Sequence, residues 1–391
     1  MKVLMLGWEL PPHNSGGLGV ACLGLAQALT RKGVNITFVL PRKINIQDPG
    51  FEVYFLDTDF EFENLKSAYT GLTGGVLKIL MDDFPPDFVR GAMKFAEKIE
   101  KIAKLKNADV VHAHDWMTFP AGIVAQKKTK TPLIAHVHST EIDRTGGNFP
   151  NPYVYAIEKE GLQLANKIIA VSNFTKNMIV DNYQIPPQKV AVVYNGIEKT
   201  SSQKLSPALA ELKKMGYKIV LFLGRVTLQK GPEYFIKAAK RALEFNKKII
   251  FVVVGDGDMM HFMIYEASRL GIADKMIFTG FLRGEEKDRI YQTADLYVMP
   301  SVSEPFGITT LEAIANNTPV LISKQSGVSE VLQNVLKVDF WDTEEMANKI
   351  LSLVKYKSLG KVLRAESKKE LVNINWHKSA DECIKVYRSL V

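Results

Sequence analysis

Polar and apolar positions along the chain keep switching between two rhythms. Lys2–Gly7 is a short apolar run, a Pro-, Asn- and Gly-rich loop follows, and Leu18–Arg31 repeats apolar residues at helical spacing until Gly33 ends it. Asn35–Leu40 is a second apolar run, so the chain opens as strand, loop, helix, strand. Further runs of strand length stand at Val110–Ala113, Leu133–Val137, Ile168–Val171 and Val190–Val193. Between them the periodicity predicts helices at Phe88–Lys106, Tyr153–Ala165 and Asn173–Asn182, the last capped by Ser172. Strands alternating with helices predict a parallel, doubly wound sheet.

After Asn195-Gly196 the pattern lapses: Glu198–Ser206 is polar without apolar period and reads as a linker. A second series then begins at Lys218, with strands predicted at Ile219–Leu223, Ile249–Val254, Met276–Thr279, Leu296–Met299 and Pro319–Ile322 and helices between them. The expectation is an α/β protein of two Rossmann-like domains, residues 1–199 and 200–372, facing a central cleft. Residues 373–391 close the chain with apolar positions 376, 380, 383, 384, 387 and 390 on one helical stripe. That stripe needs a partner surface, and crossing back to the first domain would supply one.

Composition changes this picture little. A chain of 391 residues, 46% hydrophobic and 24% charged, can bury two ordinary cores. Apolar stretches such as Ile249–Val254 fall far short of the roughly 18 residues a spanning helix needs, and Val3–Leu6 is too short for a secretory core. Cys22 and Cys383 give neither a disulfide framework nor a metal spacing, so the cytoplasm is the default compartment. The formal net charge of +8 fits anionic ligands, an anionic membrane or nucleic acid, but no zinc-finger or RNA-recognition spacing supports the last. The helix Phe88–Lys106 is basic on one side, which suits peripheral membrane contact; core packing is the commoner use of its apolar side.

The candidate chemistry gathers at strand ends. Glu304-Pro305-Phe306-Gly307-Ile308-Thr309-Thr310-Leu311-Glu312 puts one acid beside a bend and another two helical turns later, just past the strand Leu296–Met299. A helix starting at that bend favours an anion such as a diphosphate, and the carboxylates can accept from sugar hydroxyls on either side, the layout of a nucleotide-sugar. Arg225 and Lys230 follow the first strand of the second series and can neutralise a departing diphosphate without a metal. In the first domain, Asn14-Ser15-Gly16-Gly17-Leu18-Gly19 lets a ligand approach a helix start, but Cys22 replaces the third glycine of a dinucleotide fingerprint. His112-Ala113-His114-Asp115-Trp116 and His136-Val137-His138-Ser139-Thr140-Glu141 also end strands. They lack clear metal spacing; His112 and His136 read as braces, His138 and Asp115 as substrate contacts. Asp57-Thr58-Asp59 and Asp256-Gly257-Asp258 read as structural, the second as a strand-to-helix turn with a helix cap.

Gly16-Gly17-Leu18, His112–Trp116, Gly224-Arg225 with Lys230-Gly231, Pro300-Ser301 with Glu304–Glu312, and Ser326-Gly327-Val328-Ser329-Glu330 come in an order and spacing that resembles the retaining GT-B glycosyltransferases. The likeness is to glycosyltransferase family 4 and the related bacterial and archaeal glycogen synthases, and it covers nearly the whole chain. It implies a transferase moving a hexose, with glucose first, from a UDP-, ADP- or GDP-hexose to a saccharide or other hydroxyl acceptor, with no cofactor and no metal. Arg225 and Lys230 would bind the diphosphate, Glu304 the hexose, Phe306, Gly307, Ile308 and Thr309 the sugar and phosphate through backbone N–H groups, Glu312 the ribose, and Leu282 would lie by the base. Gly16 and Gly17 would face the donor, His138 would stand near the reacting sugar, and His114 and Asp115 would lie on the acceptor side. Asn14 stands where glycogen synthases carry Lys, which moves the reading towards family 4 at large. An epimerase or hydrolase of nucleotide-sugars, a non-catalytic sugar-nucleotide binder and a pyridoxal-phosphate phosphorylase are the competing classes on the same fold.

Overall fold

A computed structural model of the chain describes residues 1–14, 16–56, 87–198 and 205–391. These divide into two units, Met1–Gly196 with Asn375–Val391, and Ile197–Ile374. Asp57-Thr58-Asp59, Ser15 and residues 199–204 of the expected linker lie outside the described residues.

The first unit carries β1 (Lys2–Leu6), β2 (Asn35–Leu40), β3 (Glu52–Phe55), β4 (Val110–His114), β5 (Leu133–Val137), β6 (Lys167–Ala170) and β7 (Val190–Val192). All pair in parallel, in the order β3-β2-β1-β4-β5-β6-β7. The second unit carries β8 (Lys218–Leu223), β9 (Ile249–Val254), β10 (Met276–Gly280), β11 (Leu296–Met299), β12 (Val320–Ser323) and β13 (Leu336–Val338), also parallel, in the order β10-β9-β8-β11-β12-β13. Both are the doubly wound, Rossmann-like sheets expected. In each, the chain winds outward from one central strand and returns beside it to wind the other way, so the order reverses between β1 and β4 and again between β8 and β11.

Helices over both faces explain why the central strands read as unbroken apolar runs: every residue of β4, β5 and β9 is buried. β3 and β13 were not predicted, and they are edge strands whose residues are mostly half-buried or exposed, so no continuous apolar run marks them. The helix Asp87–Lys106 buries Phe88, Ala92, Phe95, Ile99 and Ile102, with Phe88 edge-on to Trp116 and Phe95 edge-on to Trp8, which is core packing of its apolar side. No helix among the described residues is long and apolar enough to cross a membrane.

The helix Trp376–Arg388 belongs to the first unit and buries Trp376, Ala380, Cys383 and Tyr387 of its stripe. It packs on the helix Gly17–Arg31, where a Cβ added at Gly24 would stand 2.3 Å from the Trp376 ring, so only glycine admits the indole there. Ser379 Oγ fixes its register by donating to the Tyr194 carbonyl at 2.6 Å.

Candidate functional site

In the second unit the loops leaving β8 and β11, neighbours at the reversal point, are pressed together. Gly231 takes φ +64°, and a Cβ there would lie 2.1 Å from the Pro300 carbonyl oxygen, so the turn Leu228–Lys230 can sit against the end of β11 only because residue 231 is glycine. Val302 N–H donates to the Gln229 carbonyl at 2.9 Å, a second tie between the two loops. The consequence is an ion pair: Lys230 Nζ donates to Glu304 Oε2 at 2.6 Å, and Ser301 Oγ donates to the same oxygen at 3.1 Å. Glu304 is itself pinned, its N–H donating to the Gln325 carbonyl and its carbonyl accepting from Gly327 N–H. Arg225 Nη2 donates to Gln229 Oε1 at 3.4 Å, which keeps the guanidinium on the same loop.

The bend after Glu304 is a helix start, as its residues suggest. Gly307 takes φ +109° with the Met299 sulfur and a Val328 methyl close against it, and as the N-cap of the helix Ile308–Ala315 it brings no side chain to the first turn. Its N-terminal end therefore offers a positive dipole that no side chain of the cap satisfies. Phe306 is buried and its carbonyl accepts from Val328 N–H at 2.7 Å. Two turns on, Glu312 is held at both oxygens: Lys287 Nζ donates to Oε1 at 2.6 Å and Tyr291 Oη to Oε2 at 3.2 Å. Tyr297 Oη donates to Thr309 Oγ1 at 2.8 Å. Burial pushes the Tyr291 and Tyr297 hydroxyls well up, with the Glu312 charge adding to it, so both stay protonated donors. Leu282 is half-buried after β10, between exposed Phe281 and Arg283, whose guanidinium lies over the Phe281 ring.

Asp256-Gly257-Asp258 is a strand-to-helix turn, as its residues suggest. Asp256 Oδ1 accepts from Gly257 N–H, and the helix starts later, at Met260, with Met259 as its uncapped N-cap. The turn is tied by Val226, which donates to the Asp256 carbonyl and accepts from Met259 N–H.

The first unit arranges its strand ends differently. Parallel register between β4 and β5 sets His112, His114, His136 and His138 into one stacked array, neighbouring ring centroids 4.2–5.2 Å apart. His112 Nε2 and His136 Nδ1 share a hydrogen bond of 3.1 Å, His114 Nδ1 and His138 Nε2 one of 2.9 Å, and His112 Nδ1 one of 2.6 Å with Tyr387 Oη. Burial holds all four far below the usual histidine range, His112 and His138 at about 3, so the array is neutral. Cys22, His114 and His138, or His112, His114 and His136, bring one donor atom each within 4.8 Å of one another, a spacing that a soft cation could use.

Asp115 closes the ends of β4 and β5. Its φ is +60°, it is 2% exposed, and Oδ1 accepts the His138 N–H at 2.6 Å and the Ser139 N–H at 3.4 Å. Burial pushes its carboxyl up to about 7, against the pull of Arg144 and of those N–H groups. Below the loop, Arg144 donates to Glu141 at 3.0 Å, to Glu158 at 2.5 Å and to the Ser139 carbonyl at 3.0 Å, and Tyr183 donates to Glu158. Glu158 is likewise pushed up to about 7 by burial. The loop carrying half-buried His138 is thus set by a buried polar network. Gly16 is the extended N-cap of the helix Gly17–Arg31, its carbonyl accepting from Asn14 Nδ2 at 2.8 Å.

Of the residues singled out in the sequence, Arg225, Lys230, Glu304, Phe306 to Thr309 and Glu312 come together in the second unit, with Leu282 on a loop at the same end of the sheet. Gly16, Gly17, His114, Asp115 and His138 lie in the first. Sequence reasoning missed Gln229, Lys287, Tyr291 and Tyr297, which hold the charged groups in place; Lys287 sits in the polar run Glu285–Arg289, where nothing marks it out.

The description "Glycosyltransferase Family 4" matches residues 15–200, and "Glycosyl transferases group 1" matches residues 209–370. An uncharacterized glycosyltransferase of Methanocaldococcus jannaschii, MJ1607, is 33% identical over 351 residues, covering 85% of this chain and 83% of its own. Glycogen synthase of Mycobacterium tuberculosis is 27% identical over 353 residues, covering 85% and 80%. Among solved structures, Anabaena HepE in complex with UDP and glucose superimposes over 100% of both chains with a TM-score of 0.75 at 18% identity, a likeness of fold. The chain belongs to the family 4-like glycosyltransferases and has their GT-B fold.

Proposed function

We propose that this glycosyltransferase moves a hexose, glucose first, from a nucleoside-diphosphate sugar to a saccharide or other hydroxyl acceptor, retaining the anomeric configuration and needing no metal. The observation that carries this is the pairing of Lys230 with Glu304 at the β8/β11 reversal, beside Arg225 and a helix start without a side-chain cap. Ligands of open α/β sheets bind at such reversals. In the reading, Arg225 and Lys230 bind the diphosphate, Glu304 the hexose hydroxyls, backbone N–H groups of Phe306 to Thr309 the sugar and phosphate, and Glu312 the ribose, with Leu282 by the base. Gly16, Gly17 and His138, with His114 and Asp115 on the acceptor side, take their roles from the family resemblance. A Cβ at Gly17 would meet nothing within 4 Å, so the fold itself does not require glycine there, and room for a ligand is a reason to have it. HepE in complex with UDP and glucose, and glycogen synthase among the relatives, favour glucose as the first sugar to try.

The chemistry is a front-face transfer. As the anomeric C–O bond breaks, the electron pair stays with the diphosphate, whose oxygen takes the acceptor proton while the acceptor oxygen bonds to the anomeric carbon. Lys230 shares its charge with Glu304 before the reaction and with the diphosphate as charge develops there, so stabilisation grows towards the transition state.

A screen of UDP-, ADP- and GDP-hexoses for thermal stabilisation, then the best donor against an acceptor panel with product mass, anomeric configuration and EDTA sensitivity measured, tests the reading. Transfer that survives EDTA is expected. Glu304→Ala should mainly lower turnover and Glu312→Ala mainly weaken nucleoside diphosphate binding. Turnover of the nucleotide-sugar that never depends on an acceptor would make the chain a hydrolase or epimerase instead, and a metal requirement restored by Mg or Mn would end the metal-free mechanism.

A further inference from the structure

Glu304 and Glu312 are both buried acids paired with a lysine, yet they are held in different ways. On Glu304 the two side-chain bonds fall on one oxygen, Oε2. On Glu312 they are divided, Lys287 on Oε1 and Tyr291 on Oε2. The last torsion of a Glu side chain is broad and roughly two-fold, so one anchored oxygen leaves the carboxylate plane free to turn, whereas one anchor on each oxygen fixes it. The two anchors stand four residues apart on the helix Gly284–Thr293, where i and i+4 side chains share a face. Lys287 also balances the charge of a carboxylate that is only 8% exposed, and it is itself partly open to solvent, with 24% of its side chain accessible. An ionised carboxylate has about four lone-pair positions; two are spent here, and two remain in a plane set by the protein.

We infer that Lys287 is a positioning residue for the nucleoside end of the donor: it holds the Glu312 carboxylate in the orientation that accepts both hydroxyls of a ribose, and so sets discrimination against 2′-deoxyribose. The inference rests on the proposed contact of Glu312 with ribose. It adds what Lys287 does there. Without Lys287 the carboxylate keeps only Tyr291, can turn, and takes one hydroxyl nearly as well as two.

The test is calorimetric titration of the full chain with UDP, ADP and GDP and their 2′-deoxy counterparts. Wild type should favour the ribose form of whichever base binds tightest by roughly 10- to 100-fold, the weight of one hydrogen bond to a charged group. Lys287→Met should shrink that ratio to within about threefold and Lys287→Arg should restore most of it; because Glu312 is 8% exposed, losing its cation also lowers the melting temperature of the second unit, and circular dichroism at the titration temperature checks that the variant is folded. Turnover at saturating donor should fall less than donor KM rises. Lys287→Met that keeps the wild-type ratio, while Glu312→Gln loses it, would overturn the inference and leave the Glu312 reading standing. Wild type that binds both sugars equally, with Glu312→Gln unchanged, would overturn both.

Discussion

The two units answer the same topological situation, a strand order that reverses at the sheet centre, with opposite electrostatics. In the first, the side chains at the reversal are neutral histidines bonded to one another, above a sealed network in which Arg144, Glu141 and Glu158 are each less than 10% exposed. In the second they are charged pairs whose lysines, Lys230 and Lys287, remain a fifth to a quarter exposed. A sealed network fixes geometry at the cost of desolvation, and here His114 Nε2, His136 Nε2 and His138 Nδ1 stay buried without a hydrogen-bond partner among the described residues, so that cost is only partly offset. A half-open pair can hand its charge to an anionic ligand with little reorganisation. The first arrangement suits holding a loop in place and the second suits binding something that leaves with more charge than it brought.

The largest effect that would break this contrast is at Arg144. Arg144→Met leaves two buried carboxylates without their cation and should destabilise the first unit by about 3–5 kcal/mol. Trp8, Trp116 and Trp376 lie in the first unit and Trp341 in the second, so tryptophan fluorescence of a Trp341→Phe background during urea unfolding reads the first unit alone. A loss below about 1 kcal/mol would mean that the network is not the sealed one described.

Next comes the half-open pair. Lys230→Ala and Arg225→Ala should each lower turnover by about 100- to 1000-fold, on the order of 3–4 kcal/mol, while weakening donor binding far less. Equal losses in binding and turnover would make the two cations anchors only.

Acid should separate the units. A buried histidine whose folded pKa lies below its unfolded value gives stability that is present above about 6.5 and lost as pH falls towards its folded value, about 3 for His112 and His138. Asp115 and Glu158, raised to about 7, act oppositely: they destabilise as pH rises from about 4 to 7, and so offset part of the loss on acidification. Four histidines against two carboxyls leave a net uptake of about two protons on unfolding between roughly pH 4.5 and 6, so stability falls as pH drops through that range, by on the order of 3 kcal/mol per pH unit. Denaturant midpoints of the first unit measured across that range should fall steeply, and a flat profile would mean that the array admits protons while folded.

How far this was legible in the sequence follows the same division. Central strands such as Ile249–Val254 and the acid pair Glu304/Glu312 could be read because burial on both faces leaves an unbroken apolar run, and because Pro305 and Gly307 mark a bend. Edge strands β3 and β13 could not, since half-exposed residues carry no such run. Lys287 and Tyr291 matter through a helix that packs beside Glu312 from twenty-odd positions upstream, and the histidine array exists only through the register of β4 and β5 with Tyr387 supplied from the far end of the chain. Local pattern reports propensity and burial. It does not report which distant side chain completes a hydrogen bond.

The smallest effects give the finest test, because the same deletion of one hydroxyl should change binding in one unit and not in the other. Tyr387 and His112 are both fully buried and 2.6 Å apart, so Tyr387→Phe leaves His112 Nδ1 without its partner and should cost the first unit about 1–3 kcal/mol. Both residues belong to the first unit, and affinity for nucleoside diphosphate should not change. Tyr291→Phe also removes a buried hydroxyl, one that serves the Thr309 carbonyl as well as Glu312, so the second unit should lose a similar stability, about 1–3 kcal/mol, but here nucleoside diphosphate should also bind about tenfold more weakly, or about 1.4 kcal/mol. Calorimetric binding beside unit-resolved unfolding of the two variants reads both quantities. If Tyr291→Phe lowered stability as much as Tyr387→Phe and left binding intact, the second site would be a structural brace like the first, and the contrast between the units would be gone.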